Sequence, residues 1–152
     1  MSALLTFQES IASDARIFSN FVSDVDLIAQ LLKMEAEMAG AYDDRDGMIW
    51  MDGKLLPWRD ANVHILTHAM HYASSVFEGE RAYNGKIFES RRHTERLHFS
   101  AGQLDFEIPY TVDEIEAAKY EVMKANGLTD AYVRAVAWRG AGEDMGVASA
   151  KN

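Results

Sequence analysis

Cysteine is absent from the 152 residues, which excludes a disulfide scaffold and any thiolate metal site and is compatible with a cytoplasmic setting. Long hydrophobic runs are missing too. No stretch approaches the roughly 20 apolar residues a bilayer-crossing helix needs, so membrane association is not expected. Basic residues are scarce: 15 Lys and Arg stand against 24 Asp and Glu, giving a net charge of −9. That balance argues against a broad grip on the phosphate backbone of nucleic acid and leaves no polybasic patch for anionic lipid. It does not exclude an anionic small molecule, because one or two buried arginines can set the local field. The start lacks a basic segment followed by an apolar one, and residues 1–37 carry six acids against Arg16 and Lys33, so neither a signal nor a transit peptide is expected. No glycine-rich phosphate loop and no serine–histidine–aspartate order stands out.

What remains is an ordinary globular composition, 48% hydrophobic and 26% charged. Residues 1–38 read as a helical extension, since Ile11, Ala15, Phe18, Val22, Val25 and Ile28 recur at three- and four-residue steps. Residues 39–46 read as a polar joint. Asp44, Asp46 and Gly47 faintly suggest a calcium loop, but the ligand spacing fails and the closing glutamate is missing.

Beyond the joint, turn signals alternate with periodic runs. Asp52-Gly53 and Asn84-Gly85 each predict a tight hairpin. Short helix is expected at 67–75 and a longer one at 91–104, with Leu97, Ala101 and Leu104 on one side. Thr111 and Glu114 form a capping box. It opens a helix whose face is Ile115, Ala118, Val122 and Met123, and which Asn126-Gly127 ends. Ala131–Trp138 is a strand that would lack partners if it stood alone, and Arg134 shares a face with Val136 and Trp138. The layout is α+β.

His64, His68 and His71 have a spacing that could present nitrogens to a metal. His64 reads as part of a strand, however, which breaks the helical geometry, and histidines that hydrogen-bond to backbone and orient a loop are the favoured reading; no metal is expected. Among the arginines, Arg81 and Arg134 lie in strands and Arg96 in a helix, where a solvated charge is the bland reading. Arg134 is expected to be partly buried and so to want an anionic partner, which a guanidinium fork would meet as carboxylate or phosphate. By pattern alone Tyr72 and Phe77 are core aromatics, and Gly79 marks a close backbone approach or a bulge.

The segment His71-Tyr72-Ala73-Ser74-Ser75-Val76-Phe77-Glu78-Gly79-Glu80-Arg81-Ala82-Tyr83 resembles the bacterial branched-chain aminotransferases, fold-type IV enzymes that use pyridoxal 5'-phosphate. The resemblance continues in order through Ile49-Trp50-Met51-Asp52-Gly53, Trp58-Arg59-Asp60-Ala61, Val63-His64, Thr67-His68, His93-Thr94-Glu95-Arg96-Leu97, Ala131-Tyr132-Val133-Arg134 and Met145-Gly146-Val147. It covers about residues 46–152; the segment before Met38 has no counterpart.

The resemblance implies the small N-terminal domain of a D-amino acid aminotransferase-like fold over 39–152, an incomplete chain. It makes Arg96 the ligand of the cofactor's phosphate. Tyr72 and Phe77 become pocket walls, with Gly79 letting the chain pass close to the ligand. Arg134 becomes the partner of the carboxylate of glutamate or 2-oxoglutarate, and Gly146 and Val147 belong to a loop that reaches a neighbouring subunit's site. Branched-chain L-amino acids, glutamate and 2-oxo acids would be the substrates, and a homodimer or larger homo-oligomer the assembly. The Schiff-base lysine would lie beyond Asn152, so no catalytic residue is expected here and the polypeptide alone is expected to be inactive. Two other classes compete: a sister fold-type IV enzyme (a D-amino acid aminotransferase or an aminodeoxychorismate lyase) and a non-enzymatic, truncated packing module.

Overall fold

The computed structural model describes residues 2–9 and 41–147. Six strands form one sheet: β1 (Ser2–Glu9), β2 (Met48–Met51), β3 (Lys54–Pro57), β4 (Ser75–Tyr83), β5 (Lys86–Ile87) and β6 (Ala131–Trp138). Their order across the sheet is β3-β2-β1-β6-β4-β5, and every neighbouring pair is antiparallel. Among the described residues three α-helices accompany it, α1 (His68–Tyr72), α2 (Ser90–Gln103) and α3 (Val112–Ala125), with a short 3-10 turn at Trp58–Asp60. The α+β layout expected from the sequence is the one observed.

Local chemistry explains the turns. Asp52 and Gly53 have φ of 50° and 84°, Asn84 and Gly85 of 49° and 77°. Two successive positive φ values make the hairpin turn whose twist matches that of its strands. Helix α3 begins with the anticipated box, Thr111 accepting from the Glu114 amide while the Glu114 carboxylate accepts from the Thr111 amide. It ends with Gly127 at φ 66°, the Gly127 amide donating to the Lys124 carbonyl at 3.1 Å and the Leu128 amide to Met123 at 3.0 Å. That pair of bonds satisfies two of the carbonyls a helix end leaves open.

Residues 2–9, assigned to a helical extension, form the strand β1 between β2 and β6, paired from Ser2↔Trp138 to Glu9↔Ala131. The edge of β6 away from β4 presents unpaired amides and carbonyls, and pairing satisfies them. The helical periodicity begins only at Ile11, and residues 10–40 lie outside the described residues. For the same reason β6 does not lack partners: β1 and β4 flank it. His64 lies outside any strand, and Leu104, expected on the buried side of α2, ends that helix 41% exposed.

Helices α2 and α3 cover one face of the sheet. Leu97 and Ala101 of α2, and Ile115, Ala118 and Val122 of α3, pack with Trp50, Phe106, Ile108, Ala135 and Ala137 in one apolar cluster. The small alanines of β6 let the helices approach closely. Within this core lies a charge. Lys119 is fully buried, its Nζ 2.8 Å from Glu80 Oε2, 2.9 Å from Glu116 Oε1 and 3.1 Å from Ser90 Oγ. Burial raises the Glu80 carboxyl above its ordinary value despite the opposing pull of Lys119. A buried ion pair adds little net stability but is costly to break, because the surviving charge is stranded. Lys119→Ala should therefore destabilise the chain by about 3–5 kcal/mol, and Lys119→Met combined with Glu80→Leu should recover part of that loss, Glu116 still being deprived of its cation. Urea denaturation of the single and double variants measures both; equal losses would show that the charge pairing is not the cause.

Candidate functional site

The side-chain alternation of β4 and β6 divides the sheet into a covered and an open face. On β4, Glu78, Glu80 and Ala82 are buried beneath the helices, whereas Phe77, Gly79 and Tyr83 are exposed. On β6, Ala131, Val133, Ala135 and Ala137 are buried and Arg134 is exposed. The expectation that Arg134 would be partly buried is thus corrected. Its face, shared with Val136 and with Trp138, which is itself buried, is the one the helices leave uncovered.

The register Gly79↔Arg134 assembles the open face. The Arg134 guanidinium lies over the Phe77 ring at 4.5 Å and 5.7 Å from the centre of the Tyr132 ring, positions in which the ring quadrupole attracts a cation. Among the described residues Arg134 has no carboxylate partner, and its one hydrogen bond is a long 3.5 Å contact to Tyr132 Oη. Gly79 makes room for this arrangement: a Cβ there would stand 2.2 Å from Tyr132 Oη. The close approach anticipated at Gly79 is made by that tyrosine. Phe77 is 59% and Tyr72 42% exposed, so the core reading of these two aromatics does not hold.

Tyr72 meets the loop that carries Gly146 and Val147 through one hydrogen bond. Tyr72 Oη donates to the Met145 carbonyl at 3.0 Å, the Gly146 amide donates to Asp144 Oδ1 at 2.8 Å, and Val147 is 66% exposed. The start of α1 is tied to the end of β6, the His68 amide donating to the Gly140 carbonyl at 3.0 Å and Ala69 to Arg139 at 3.2 Å. Ala73, which closes α1, has φ 54°, a left-handed conformation costing a non-glycine residue about 1–2 kcal/mol. The three spaced histidines bond to backbone: His71 Nε2 lies 2.9 Å from the Ile65 carbonyl, and His64 Nδ1 accepts from the Leu66 amide at 3.1 Å. Asp44 and Asp46 both face Arg59, at 2.5 and 2.8 Å.

Arg96 stands apart from this group. It projects from α2 and holds Glu78 with two bonds, Nε to Oε1 at 2.7 Å and Nη2 to Oε2 at 2.5 Å. Glu78 belongs to the helix-covered face of the sheet and Arg134 to the open one. The Glu78 side chain is 5% exposed and the Arg96 side chain 63%. Burial alone would raise the Glu78 carboxyl, but hydrogen bonds from Arg96 and His93, the latter at 2.7 Å, leave it below its usual value. Glu78, Glu80 and Lys119 were not singled out in the sequence. A signal existed for Lys119 alone, which falls one turn after Ile115 on the stripe with Ala118 and Val122.

Residues 75–152, slightly more than half of the chain, match the family model described as amino-transferase class IV. The chain belongs to the amino-transferase class IV family. Among curated proteins, it is 52% identical over 92 residues to one of Rickettsia felis named "Probable branched-chain-amino-acid aminotransferase", covering 60% of this chain and 32% of that protein. It is 46% identical over 108 residues to the branched-chain-amino-acid aminotransferase of Pseudomonas aeruginosa, covering 68% of this chain and 35% of that one. The chain thus spans about a third of the length of the curated relatives it matches. Among solved structures, the branched-chain amino acid aminotransferase of Escherichia coli superposes with a TM-score of 0.65 at 40% identity, covering 68% of this chain and 36% of that one. The branched-chain amino acid aminotransferase of T.th., complexed with N-(5'-phosphopyridoxyl)-L-glutamate, gives 0.64 at 42% identity, over 68% and 36%. These matches agree with the expected small domain of a fold-type IV aminotransferase.

The class IV domain should show the Glu78 network in its acid stability. The folded-state carboxyl lies below the ordinary 4.5, so its stabilisation is fully present above the unfolded value and is lost as pH falls through the folded one. The stability gap between the native chain and Glu78→Gln, followed by denaturant unfolding, should be widest above about pH 5 and close on acidification below 4.5. A gap independent of pH would mean that the charge contributes nothing.

Proposed function

We propose that the chain is the N-terminal part of a branched-chain amino acid aminotransferase, which moves the amino group of L-leucine, L-isoleucine or L-valine to 2-oxoglutarate, giving the branched 2-oxo acid and L-glutamate. The observation that carries the proposal is the apolar ring of Phe77 lying 4.5 Å beneath an Arg134 guanidinium that has no carboxylate partner among the described residues, in a chain 46% identical to an aminotransferase of that name. One pocket has to take both an aliphatic side chain and a carboxylate. Phe77 and Tyr72 offer area to the first. Arg134 offers a charge-assisted, two-pronged hydrogen bond to the second, without which a buried carboxylate would be expensive. Gly79 leaves the space that the Tyr132 ring and hydroxyl occupy beside that floor.

Pyridoxal 5'-phosphate would supply the electron sink for amino transfer. Within this chain Arg96 is the residue suited to its phosphate: an exposed guanidinium, oriented by Glu78 through Nε and Nη2, with Nη1 outside that pair. The fit is that of a single phosphate ligand. Lys119, the buried lysine among the described residues, is tied to two carboxylates and closed to any ligand, so on this reading the lysine that carries the cofactor lies outside the described residues. Gly146 and Val147 would line the pocket from the loop end, in a neighbouring subunit of a cytoplasmic homodimer or larger homo-oligomer.

In a complete enzyme carrying these residues, Arg134→Gln should raise KM for glutamate and 2-oxoglutarate about 10- to 100-fold while leaving KM for L-leucine nearly unchanged. Steady-state kinetics with both amino donors decides it. Activity on D-alanine without activity on L-leucine, or an equal loss for both donors, would overturn the assignment. The 152-residue chain by itself, mixed with pyridoxal 5'-phosphate, L-leucine and 2-oxoglutarate, should produce no glutamate above a protein-free control.

A further inference from the structure

His68 is 1% exposed, and its two ring nitrogens hold different parts of the chain. Nδ1 lies 2.7 Å from Ser74 Oγ and Nε2 3.2 Å from the Gly146 carbonyl oxygen. A carbonyl only accepts, so Nε2 carries the hydrogen, and Nδ1 on the other side of the ring pairs with the Ser74 hydroxyl. The ring packs against Tyr72 with centroids 4.6 Å apart, and Tyr72 Oη donates to the Met145 carbonyl. His68 and Tyr72 are four residues apart on α1 and share one of its faces. Together they hold two consecutive carbonyls of the 141–147 loop. The same helix start holds the base of that loop, through the His68 and Ala69 amides on Gly140 and Arg139.

Residues 141–144, Gly146 and Val147 are exposed, and an exposed loop with little burial opens easily. A buried, two-bonded imidazole supplies the missing restraint. We propose that His68 is a positioning residue, a fixed post whose Nε2–H sets the Gly146 backbone and therefore the place of Val147, which follows it in the chain. The restraint follows from the contacts alone; its bearing on substrate rests on the aminotransferase reading.

Amide hydrogen exchange of the 152-residue chain tests the restraint. His68→Leu removes the donor, and exchange over residues 141–147 should accelerate about 5- to 10-fold while the amides of β4 and β6 keep their rates. His68→Gln, whose amide nitrogen reaches close to the place of Nε2, should return most of the protection. In the native chain the imidazole 15N shifts should identify the Nε2–H tautomer. Unchanged loop exchange in His68→Leu, failure of His68→Gln to rescue, or an Nδ1–H tautomer would each overturn the proposal. Acceleration spread evenly over the sheet would overturn it as well, by assigning His68 to general stability.

A second measurement separates the restraint from its use. In a complete aminotransferase bearing His68→Leu, KM for the 2-oxo acid should rise about 5- to 10-fold with kcat within about twofold. A loosened loop with unchanged KM would overturn the loop's part in substrate contact while the His68 restraint stood.

Discussion

The arrangement depends on the register between β4 and β6. Gly79 opposite Arg134 sends Glu78, Glu80 and the alanines of β6 beneath the helices, and Phe77, Tyr132 and Arg134 to the open side. Because side chains alternate along a strand, a slip of one residue would exchange the two sets. A slip of β6 would bury the Arg134 guanidinium in the apolar cluster, and a slip of β4 would lift two glutamates away from Lys119 and Arg96. Both outcomes strand charge, so the register is enforced by electrostatic cost as well as by apolar burial.

The two acids on the covered face serve different ends. Glu80 meets Lys119 in the interior, where neither side chain reaches solvent, and ties β4 to α3. Glu78 lies near the edge of α2, where Arg96 and His93 reach it from a helix that is partly in water. The first is a sealed joint. The second leaves one guanidinium edge outside the ion pair, the edge that the proposed phosphate role would use, and the carboxylate fixes that guanidinium's orientation.

At the other end of the sheet the restraint is made of neutral groups. Five-residue α1 is too short to be stable by itself. It is held by amides given to the end of β6 and by two side chains given to the 141–147 loop. The strained Ala73 conformation sits between Tyr72 and Ser74, and strain of this kind persists only where the surroundings over-determine the backbone. Here the strand on one side and the His68–Ser74 bond on the other do so.

Local features were legible in the residues themselves. The two hairpin turns, the Thr111–Glu114 box, the Gly127 stop and the aminotransferase-like segment 71–83 depend on near neighbours in the chain, whose φ and ψ preferences travel with the residues. The covered face of β6, the insertion of β1 into the sheet, the burial of Lys119 and the pairing of Arg96 with Glu78 were decided only in three dimensions. Each depends on which distant segment packs against which surface. Arg134 illustrates the difference: its alternation partners were readable as Val136 and Trp138, but which side of the strand the helices would cover was not, because desolvation belongs to the assembled layers and not to the strand.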